Sequence, residues 1–234
     1  MKIFFRHLVG IPLLIFALFF FVDLYKRSTD SFIRDQVLKL YDDKAACTGV
    51  QVIAPSGKFY VLTAGHCSGL VHNNKVLAED EEGRKLELNF IEEDPTSDLM
   101  LLSSPIQSGV QIASNAGKHD SVHSITHGKG MPSYRTDGEL LATDDITFGL
   151  FPIMSRSDFL KCRAPKYKIK FDGLQPICVV ESFQTVSNTQ IIPGSSGGPL
   201  LNSWGSLVGI ASTKGDFFCT FASLADIKSF LQNR

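Results

Sequence analysis

The chain has 234 residues, of which 44% are hydrophobic and 20% are charged, values typical of a folded globular protein rather than a disordered one. Its 23 Lys and Arg residues nearly balance its 24 Asp and Glu residues, so it lacks the strong positive field that binds nucleic acid. The 19 Gly and 10 Pro residues are scattered without a repeat, which excludes a collagen-like or low-complexity chain.

The amino-terminal segment is predicted to address a membrane. Lys2 and Arg6 precede an apolar run without charges over residues 8–22, the order found in targeting sequences. This run of 15 residues is shorter than the roughly 20 that usually span a bilayer, but helix tilt and snorkelling of the basic residues that follow make up the difference. No small-residue cleavage site follows the run, which favours an uncleaved signal anchor over a removed signal peptide. We therefore expect an N-terminal membrane helix within residues 1–27, with a cleaved signal as the alternative.

An amphipathic linker helix is predicted next. Residues 28–44 carry hydrophobic side chains at helical spacing, among them Phe32, Val37 and Leu40, and Ser28 is a suitable residue to cap the start of a helix. The pattern predicts a helix that joins the membrane segment to a globular domain.

From residue 45 onward the sequence is typical of a β protein. Short runs of β-branched and aromatic residues are interrupted by Gly, Pro, Asn and Asp every eight to twelve residues, as in sandwiches and barrels. The regular alternation of strands and helices that builds a parallel sheet is missing. The runs predict strands over 48–54, 59–63, 86–91, 99–102, 146–153, 177–186 and 206–212.

The chain ends in a predicted helix over residues 224–233. Hydrophobic residues recur at helical spacing between Leu224 and Leu231. Ser223 followed three residues later by Asp226 has the spacing of a capping box, which marks the start of this helix.

Three short segments contain the residue types that acyl transfer requires. Segment 63–67 reads Thr-Ala-Gly-His-Cys, segment 98–102 reads Asp-Leu-Met-Leu-Leu, and segment 193–200 reads Pro-Gly-Ser-Ser-Gly-Gly-Pro-Leu. A serine hydroxyl is a weak nucleophile at neutral pH, so it needs a neutral imidazole to take its proton and a buried carboxylate to orient that imidazole.

His66, Asp98 and Ser196 supply these three groups. The glycines around Ser196 permit a sharp turn of the backbone. In such a turn the N–H groups of Gly194 and Ser196 converge on the oxyanion that forms during acyl transfer.

The same segment also matches the G-x-S-x-G pattern of α/β-hydrolases. In those enzymes the histidine follows the serine along the chain, and a helix begins directly after the serine. Here all six histidines precede Ser196, and Pro199 follows it. The order of the residues therefore excludes the α/β-hydrolase interpretation.

In this order, His then Asp then Ser, the chain resembles the trypsin-like serine proteases. The three segments correspond to the family patterns T-A-A-H-C, D-[IL]-A-L-L and P-G-N-S-G-G-P-L, and the C-terminal half is most similar to the single-chain Deg/HtrA type. The likeness extends over about 47–230. It implies an all-β, chymotrypsin-like protease domain over 45–234 with two orthogonal six-stranded antiparallel barrels, one at about 45–115 and one at about 116–222.

The resemblance also assigns roles to individual residues. It makes Asp98 the acid that orients His66, in preference to Asp94, and the two glycines that follow make Ser196 the nucleophile in preference to Ser195. Ser212 matches the family serine that hydrogen-bonds the catalytic aspartate.

Two positions near the nucleophile depart from the digestive enzymes. Gln190 stands at the floor of the specificity pocket, where an Asp would select Lys or Arg, so we expect a preference for small or medium uncharged side chains. Ser195 replaces the Asp that pairs with a newly cut N-terminal ammonium, so activation by insertion of the N-terminus is not expected. Gly65 also replaces a usual Ala beside the general base.

The five cysteines contain no C-x-x-C pair, so zinc and thioredoxin chemistry are not indicated. The resemblance implies a disulfide between Cys47 and Cys67 beside the catalytic histidine. Cys162 with Cys178 is the best choice for a second bridge. Disulfides require an oxidising compartment, which agrees with an N-terminus addressed to a membrane.

His119, His123 and His127 are four residues apart and would line one face of a helix as metal ligands. The residues around them predict a strand and a turn instead. We therefore expect no metal site there, and the acyl-transfer chemistry itself needs neither a metal nor another cofactor.

Together these observations predict a serine endopeptidase that acts on protein or peptide substrates through an acyl-enzyme. Its protease domain is expected to be extracytoplasmic, either periplasmic or extracellular, and anchored to the membrane or secreted. A catalytically silent protease fold used for binding or scaffolding is the alternative from another class of protein. A chaperone-like quality-control factor is a third possibility that would need oligomerisation, of which the sequence carries no clear sign.

Overall fold

The computed structural model describes residues 22, 24–25, 27–128, 132–143, 146–152, 167–173, 175–182, 184–214 and 219–234. The predicted membrane segment therefore lies outside the described residues, apart from Val22 at its end. Within the described part of the chain, none of the helices has the length and apolar character needed to cross a bilayer.

The first half of the domain is a closed antiparallel barrel. Its six strands lie in the order β1-β2-β3-β6-β5-β4, and the barrel closes because β1 pairs with both β2 and β4. Leu38, Leu88 and Met100 belong to the buried cluster that fills it. The strands are β1 (Val37–Tyr41), β2 (Ala46–Ile53), β3 (Phe59–Ala64), β4 (Lys75–Glu79), β5 (Lys85–Asp94) and β6 (Leu99–Ser103).

The linker helix predicted over 28–44 is wrong beyond residue 34. Helix α1 covers the described residues 27–34, a turn follows, and Val37 begins strand β1. Val37, Leu38 and Leu40 are fully buried, because β1 is hydrogen-bonded on both sides in the barrel. Hydrophobic residues at these positions fit a helix and a buried strand equally well, and the pairing partners decide between the two.

The second half of the domain is another closed antiparallel barrel of six strands. These lie in the order β12-β15-β14-β13-β7-β8. The prediction of two six-stranded antiparallel barrels is thus confirmed. The strands are β7 (Ser121–Thr126), β8 (Tyr134–Ala142), β12 (Gln184–Ser187), β13 (Pro199–Asn202), β14 (Leu207–Lys214) and β15 (Cys219–Ala222).

Between β8 and β12 the chain forms a separate antiparallel sheet of three strands. Strands β9 (Ile146–Pro152), β10 (Tyr167–Asp172) and β11 (Gln175–Ser182) lie in the order β10-β11-β9. The single strand predicted over 177–186 is wrong, since β11 belongs to this sheet and β12 to the second barrel. The division depends on which distant strands pair, and the hydrophobic pattern of the segment carries no information about that.

The C-terminal helix is confirmed as α2 (Leu224–Leu231). Ser223 caps it, since its side chain accepts a hydrogen bond from the backbone N–H of Asp226. Ile227 and Leu231 pack into a buried cluster that contains residues of both barrels and Ile33 of α1. Both helices therefore pack against the core that the two barrels share.

Candidate active site

His66 and Asp98 lie side by side at the end of the first barrel. His66 is in a 3-10 turn (Gly65–Leu70) directly after β3, and Asp98 directly precedes β6. The two positions are adjacent because Ala64 pairs with Leu99 across these strands. Asp98 has a φ of 54°, a left-handed conformation that aspartate tolerates better than most residues.

The Asp98 carboxylate is held by three hydrogen bonds. His66 Nδ1 lies 3.0 Å from Oδ2, and the backbone N–H of His66 donates to Oδ1 at 2.8 Å. Ser212 Oγ, from β14 of the second barrel, donates to Oδ2 at 2.5 Å. The structure therefore places His66 of one barrel and Ser212 of the other around a single carboxylate.

These contacts set the charge of Asp98. Burial raises the pKa of Asp98, but the hydrogen bonds and charge of His66 and the Ser212 hydroxyl lower it more. The net pKa lies below the ordinary value, so this carboxyl is ionised at neutral pH. Asp94, the alternative acid, instead bonds the backbone N–H of Thr96 and the hydroxyl of Ser97 within its own turn.

Ser196 lies where the two barrels meet. Its backbone carbonyl accepts a hydrogen bond of 2.7 Å from the N–H of Thr48 in β2. The next residue, Gly197, donates to the carbonyl of Ala211 at 2.8 Å, one position before Ser212. Ser196 is thus tied by its neighbours both to the first barrel and to the strand that carries Ser212.

The predicted disulfide between Cys47 and Cys67 is confirmed. It joins the start of β2 to the turn that carries His66. Cys67 Sγ lies 4.0 Å from the carbonyl oxygen of Ser196, so the bridge also contacts the serine segment. Cys162 lies outside the described residues, so its pairing with Cys178 stays a prediction.

The backbone conformation of the serine segment requires glycine at positions 194 and 197. Gly194 and Gly197 have φ values of 93° and 83°. A Cβ at Gly197 would lie 2.0 Å from Thr63 Oγ1 and 2.2 Å from the carbonyl oxygen of Thr48, which leaves no room for a side chain. Among the described residues, no acceptor is hydrogen-bonded to the N–H of Gly194 or of Ser196.

Burial distinguishes Ser196 from its neighbour Ser195. Ser195 is fully buried, and its Oγ lies 2.7 Å from Tyr134 Oη and 2.9 Å from Thr126 Oγ1. The same oxygen accepts a hydrogen bond of 3.2 Å from the N–H of Ile192. A hydroxyl with three internal partners is not free to attack a substrate, whereas Ser196 is partly exposed.

Gln190 is exposed, and its backbone carbonyl accepts a hydrogen bond of 3.0 Å from Thr136 Oγ1. Its assignment to the floor of a specificity pocket stays a prediction.

No pattern in the sequence points to Thr48, Thr126 or Tyr134, which hold the serine segment through backbone or hydroxyl contacts. Their contacts with residues 194–195 span 146, 69 and 61 positions of the chain. Hydroxyl residues are too common in strands for such a distant contact to leave a pattern in the sequence.

The three regularly spaced histidines have separate environments. His119 contacts Glu139, His123 is buried within β7, and His127 Nε2 lies 3.3 Å from the carbonyl oxygen of Val37. Within the described ranges, the structure brings together no group of three or more His, Cys, Asp or Glu side chains that suits a metal ion.

The buried ring of His123 is expected to make stability depend on pH. Burial and the nearby charge of Arg135, partly offset by Asp30 and Asp137, lower the pKa of His123 to about 4. In an unfolded chain the pKa of a histidine is about 6.5. Because the unfolded state binds this proton more readily, the free energy of unfolding falls as the pH drops from about 6.5 towards 4.

Replacing His123 by Gln is expected to reduce the slope of unfolding free energy against pH, by up to about 1.4 kcal/mol per pH unit between pH 7 and 5. Urea unfolding at several pH values measures this slope. Ser121→Ala, at an exposed position of the same strand that does not titrate, serves as the control and should leave the slope unchanged. An unchanged slope in His123→Gln would contradict the prediction.

A family model described as "Trypsin-like peptidase domain" matches residues 47–210. A search of curated protein sequences finds no significant match.

The solved structures that are similar to this chain include three proteases. The active form of the Rv3671c protease from M. tuberculosis has 17% identity and a TM-score of 0.65, with 87% of this chain and 82% of that chain covered. The serine endoprotease from Yersinia pestis has 19% identity and a TM-score of 0.61, with 88% and 65% covered. The HtrA-type protease AlgW with a tripeptide has 18% identity and a TM-score of 0.62, with 88% and 62% covered.

At these identities, the structural likeness establishes the fold, and the family model, which covers more than half of the chain, establishes the family. The chain belongs to the trypsin-like peptidase family, as a serine peptidase of the chymotrypsin fold.

Proposed function

We propose that the chain is an endopeptidase that hydrolyses peptide bonds of protein or peptide substrates through an acyl-enzyme. The main observation in support is the contact between His66 Nδ1 and the Asp98 carboxylate at 3.0 Å, with Ser212 donating to the same carboxylate. A hydrogen-bonded imidazole and an ionised carboxylate beside a glycine-rich serine segment are what base-assisted attack by a serine requires.

In the proposed mechanism Asp98 fixes the tautomer of His66. Because Nδ1 faces an ionised carboxylate, Nδ1 carries the proton and Nε2 has the lone pair. Nε2 takes the proton of Ser196 Oγ as this oxygen attacks the scissile carbonyl, and Asp98 stabilises the imidazolium that results. His66 then gives the proton to the leaving amine. In the second stage water attacks the acyl-enzyme while His66 takes its proton, and His66 returns this proton to Ser196 Oγ as the acyl group leaves.

The oxyanion of the tetrahedral intermediate is assigned to the N–H groups of Gly194 and Ser196. Their lack of an acceptor among the described residues supports this assignment. Backbone donors held in place before the reaction need no reorganisation as charge develops, which makes them effective in the transition state. The uncharged Gln190 supports a preference for uncharged side chains at the cleaved bond, and a peptide-library cleavage profile would test it.

Covalent labelling tests the proposed mechanism. A fluorophosphonate should add one adduct per chain, which peptide mapping should place on Ser196 and not on Ser195. The adduct should abolish peptide hydrolysis in proportion to labelling. Folded protein that neither reacts with the probe nor cleaves a peptide library would overturn the proposal and favour a binding or scaffolding module.

We further propose that residues 1–27 anchor the domain to a membrane, with the domain on the extracytoplasmic side. The disulfide supports an oxidising compartment, and the exposed side chains of Leu24 and Tyr25 add apolar surface just beyond the run over residues 8–22. The intact mass of the chain purified from membranes should include these residues. A mature chain that begins near residue 28 would instead identify a cleaved signal and a secreted enzyme.

A further inference from the structure

Ser195 occupies the centre of a buried hydroxyl cluster, defined here as Ser195, Thr126 and Tyr134. A hydroxyl group has one proton and two lone pairs, so three partners satisfy it completely. Ser195 Oγ has three partners, namely Tyr134 Oη, Thr126 Oγ1 and the N–H of Ile192. The cluster therefore uses the full hydrogen-bonding capacity of Ser195.

The cluster connects the serine segment to the second barrel. Thr126 is the last residue of β7 and Tyr134 is the first residue of β8. Ile192 also accepts a hydrogen bond of 2.9 Å from the N–H of Ser195, so the two residues close a tight turn. A Cβ at Gly128 would lie 2.2 Å from Ile192 and 2.9 Å from the Tyr134 ring, so the chain is closely packed here.

Ser195 lies between the two oxyanion donors. The N–H of Ser196 belongs to the peptide group that follows Ser195, and the N–H of Gly194 belongs to the peptide group between residues 193 and 194. The Gly194 carbonyl is held by Thr48 Oγ1 at 2.9 Å, and the Ser195 side chain by the hydroxyl cluster. These are independent restraints on the same short stretch of backbone, one from each barrel.

Helix α1 holds both neighbours of Tyr134. Arg34 Nη1 donates to the carbonyl oxygen of Ser133 at 2.5 Å and to its Oγ at 2.7 Å. Arg135 forms an ion pair with Asp30. Helix α1 is therefore bonded to both residues that flank Tyr134.

We propose that Tyr134 is a positioning residue, whose hydroxyl fixes Ser195 and thereby aligns the N–H groups of Gly194 and Ser196. Helix α1 sets the position of Tyr134 through Arg34 and Asp30. The Ser195 cluster thus takes the place of an ion pair with an N-terminal ammonium. This inference rests on the proposed peptidase function, because it concerns the same oxyanion donors.

Tyr134→Phe tests the inference in the full chain. Complete loss of one oxyanion donor costs on the order of 10² to 10³ in rate, so loosening both is expected to lower kcat by about 10- to 100-fold with KM nearly unchanged. A peptide aldehyde, which binds as an oxyanion adduct, should lose affinity by a similar factor. Tyr60→Phe removes the hydroxyl of a partly buried tyrosine in the first barrel and should leave both values unchanged.

A double-mutant cycle separates positioning from general stability. Ser195→Ala should lower kcat at least as much as Tyr134→Phe, and adding Tyr134→Phe to it should have little further effect, since the contact is already lost. Arg34→Gln should also lower kcat, by about threefold or more. A Tyr134→Phe protein with kcat within twofold of the wild type would overturn the inference, as would full additivity with Ser195→Ala.

Hydrogen exchange supplies a measurement that does not depend on activity. Amide exchange over residues 192–198 should become faster in Tyr134→Phe and not in Tyr60→Phe. The comparison uses variants whose melting temperatures equal that of the wild type. If the wild type neither reacts with fluorophosphonate nor cleaves peptides, the proposed function fails, yet exchange still tests the restraint. Unchanged exchange over this segment would overturn the inference whether or not the protein is active.

Discussion

Replacing Ser196 by alanine is expected to lower kcat for peptide hydrolysis by about 10⁶, the loss typical when a triad nucleophile is removed. The reason is that the two described hydroxyls beside the site, those of Ser195 and Ser212, are already engaged. The adjacent Ser195 is buried and bonded to three partners, and Ser212 donates to Asp98. Only the alignment of the substrate and the oxyanion donors would remain to accelerate hydrolysis.

A peptide assay with purified protein, together with fluorophosphonate labelling, measures the effect of Ser196→Ala. Ser203→Ala, on the exposed turn between β13 and β14, is a matched control and should retain wild-type activity and labelling. Ser196→Ala should unfold at nearly the wild-type temperature, because it removes one partly exposed hydroxyl. Labelling that persists in Ser196→Ala would identify a different nucleophile.

Replacing Asp98 by asparagine is expected to lower kcat by about 10⁴, as when the orienting acid of a triad is neutralised. The Asp98 carboxylate accepts hydrogen bonds from His66 Nδ1, from the His66 backbone and from Ser212. An amide presents one oxygen and one NH₂ group. It therefore favours the imidazole tautomer with its lone pair on Nδ1, in which Nε2 cannot accept the serine proton.

Asp94→Asn is the matched control for Asp98→Asn. Asp94 lies four residues upstream, and its carboxylate bonds only its own turn among the contacts seen in the described residues. We expect its kcat to stay within about threefold of the wild type, because exposed turn contacts of this kind have small effects. A large loss in Asp94→Asn with a small loss in Asp98→Asn would reverse the assignment of the orienting acid.

The three site segments could be predicted because each role depends on residue type and on immediate neighbours. A general base, an orienting acid and a nucleophile in a glycine-rich turn need few residue types, and their order along the chain excluded the α/β-hydrolases. Gly197 shows the local nature of this information. Its positive φ and the contacts that a Cβ would make admit only glycine, so the requirement is visible in the sequence.

One helix prediction and one strand prediction are wrong for the same reason. Residues 37–41 were expected to be helical but form β1, and the run over 177–186 is divided between two sheets. In both places the apolar pattern indicates burial, and burial alone does not specify which strand lies alongside. Strand pairing is set by partners far along the chain, so it is decided only when the barrels close.

The sequence alone determined the chemical types of the site residues, the β architecture and the capping of the last helix. These features depend on neighbours within a few positions. The tertiary structure decided that Ser195 is buried and Ser196 is not, and it brought Ser212, Thr48 and Tyr134 to the site. Contacts across 61 to 146 residues arise from barrel closure and packing between barrels. A side chain's burial and its distant partners are properties of that packing, and no short stretch of sequence contains them.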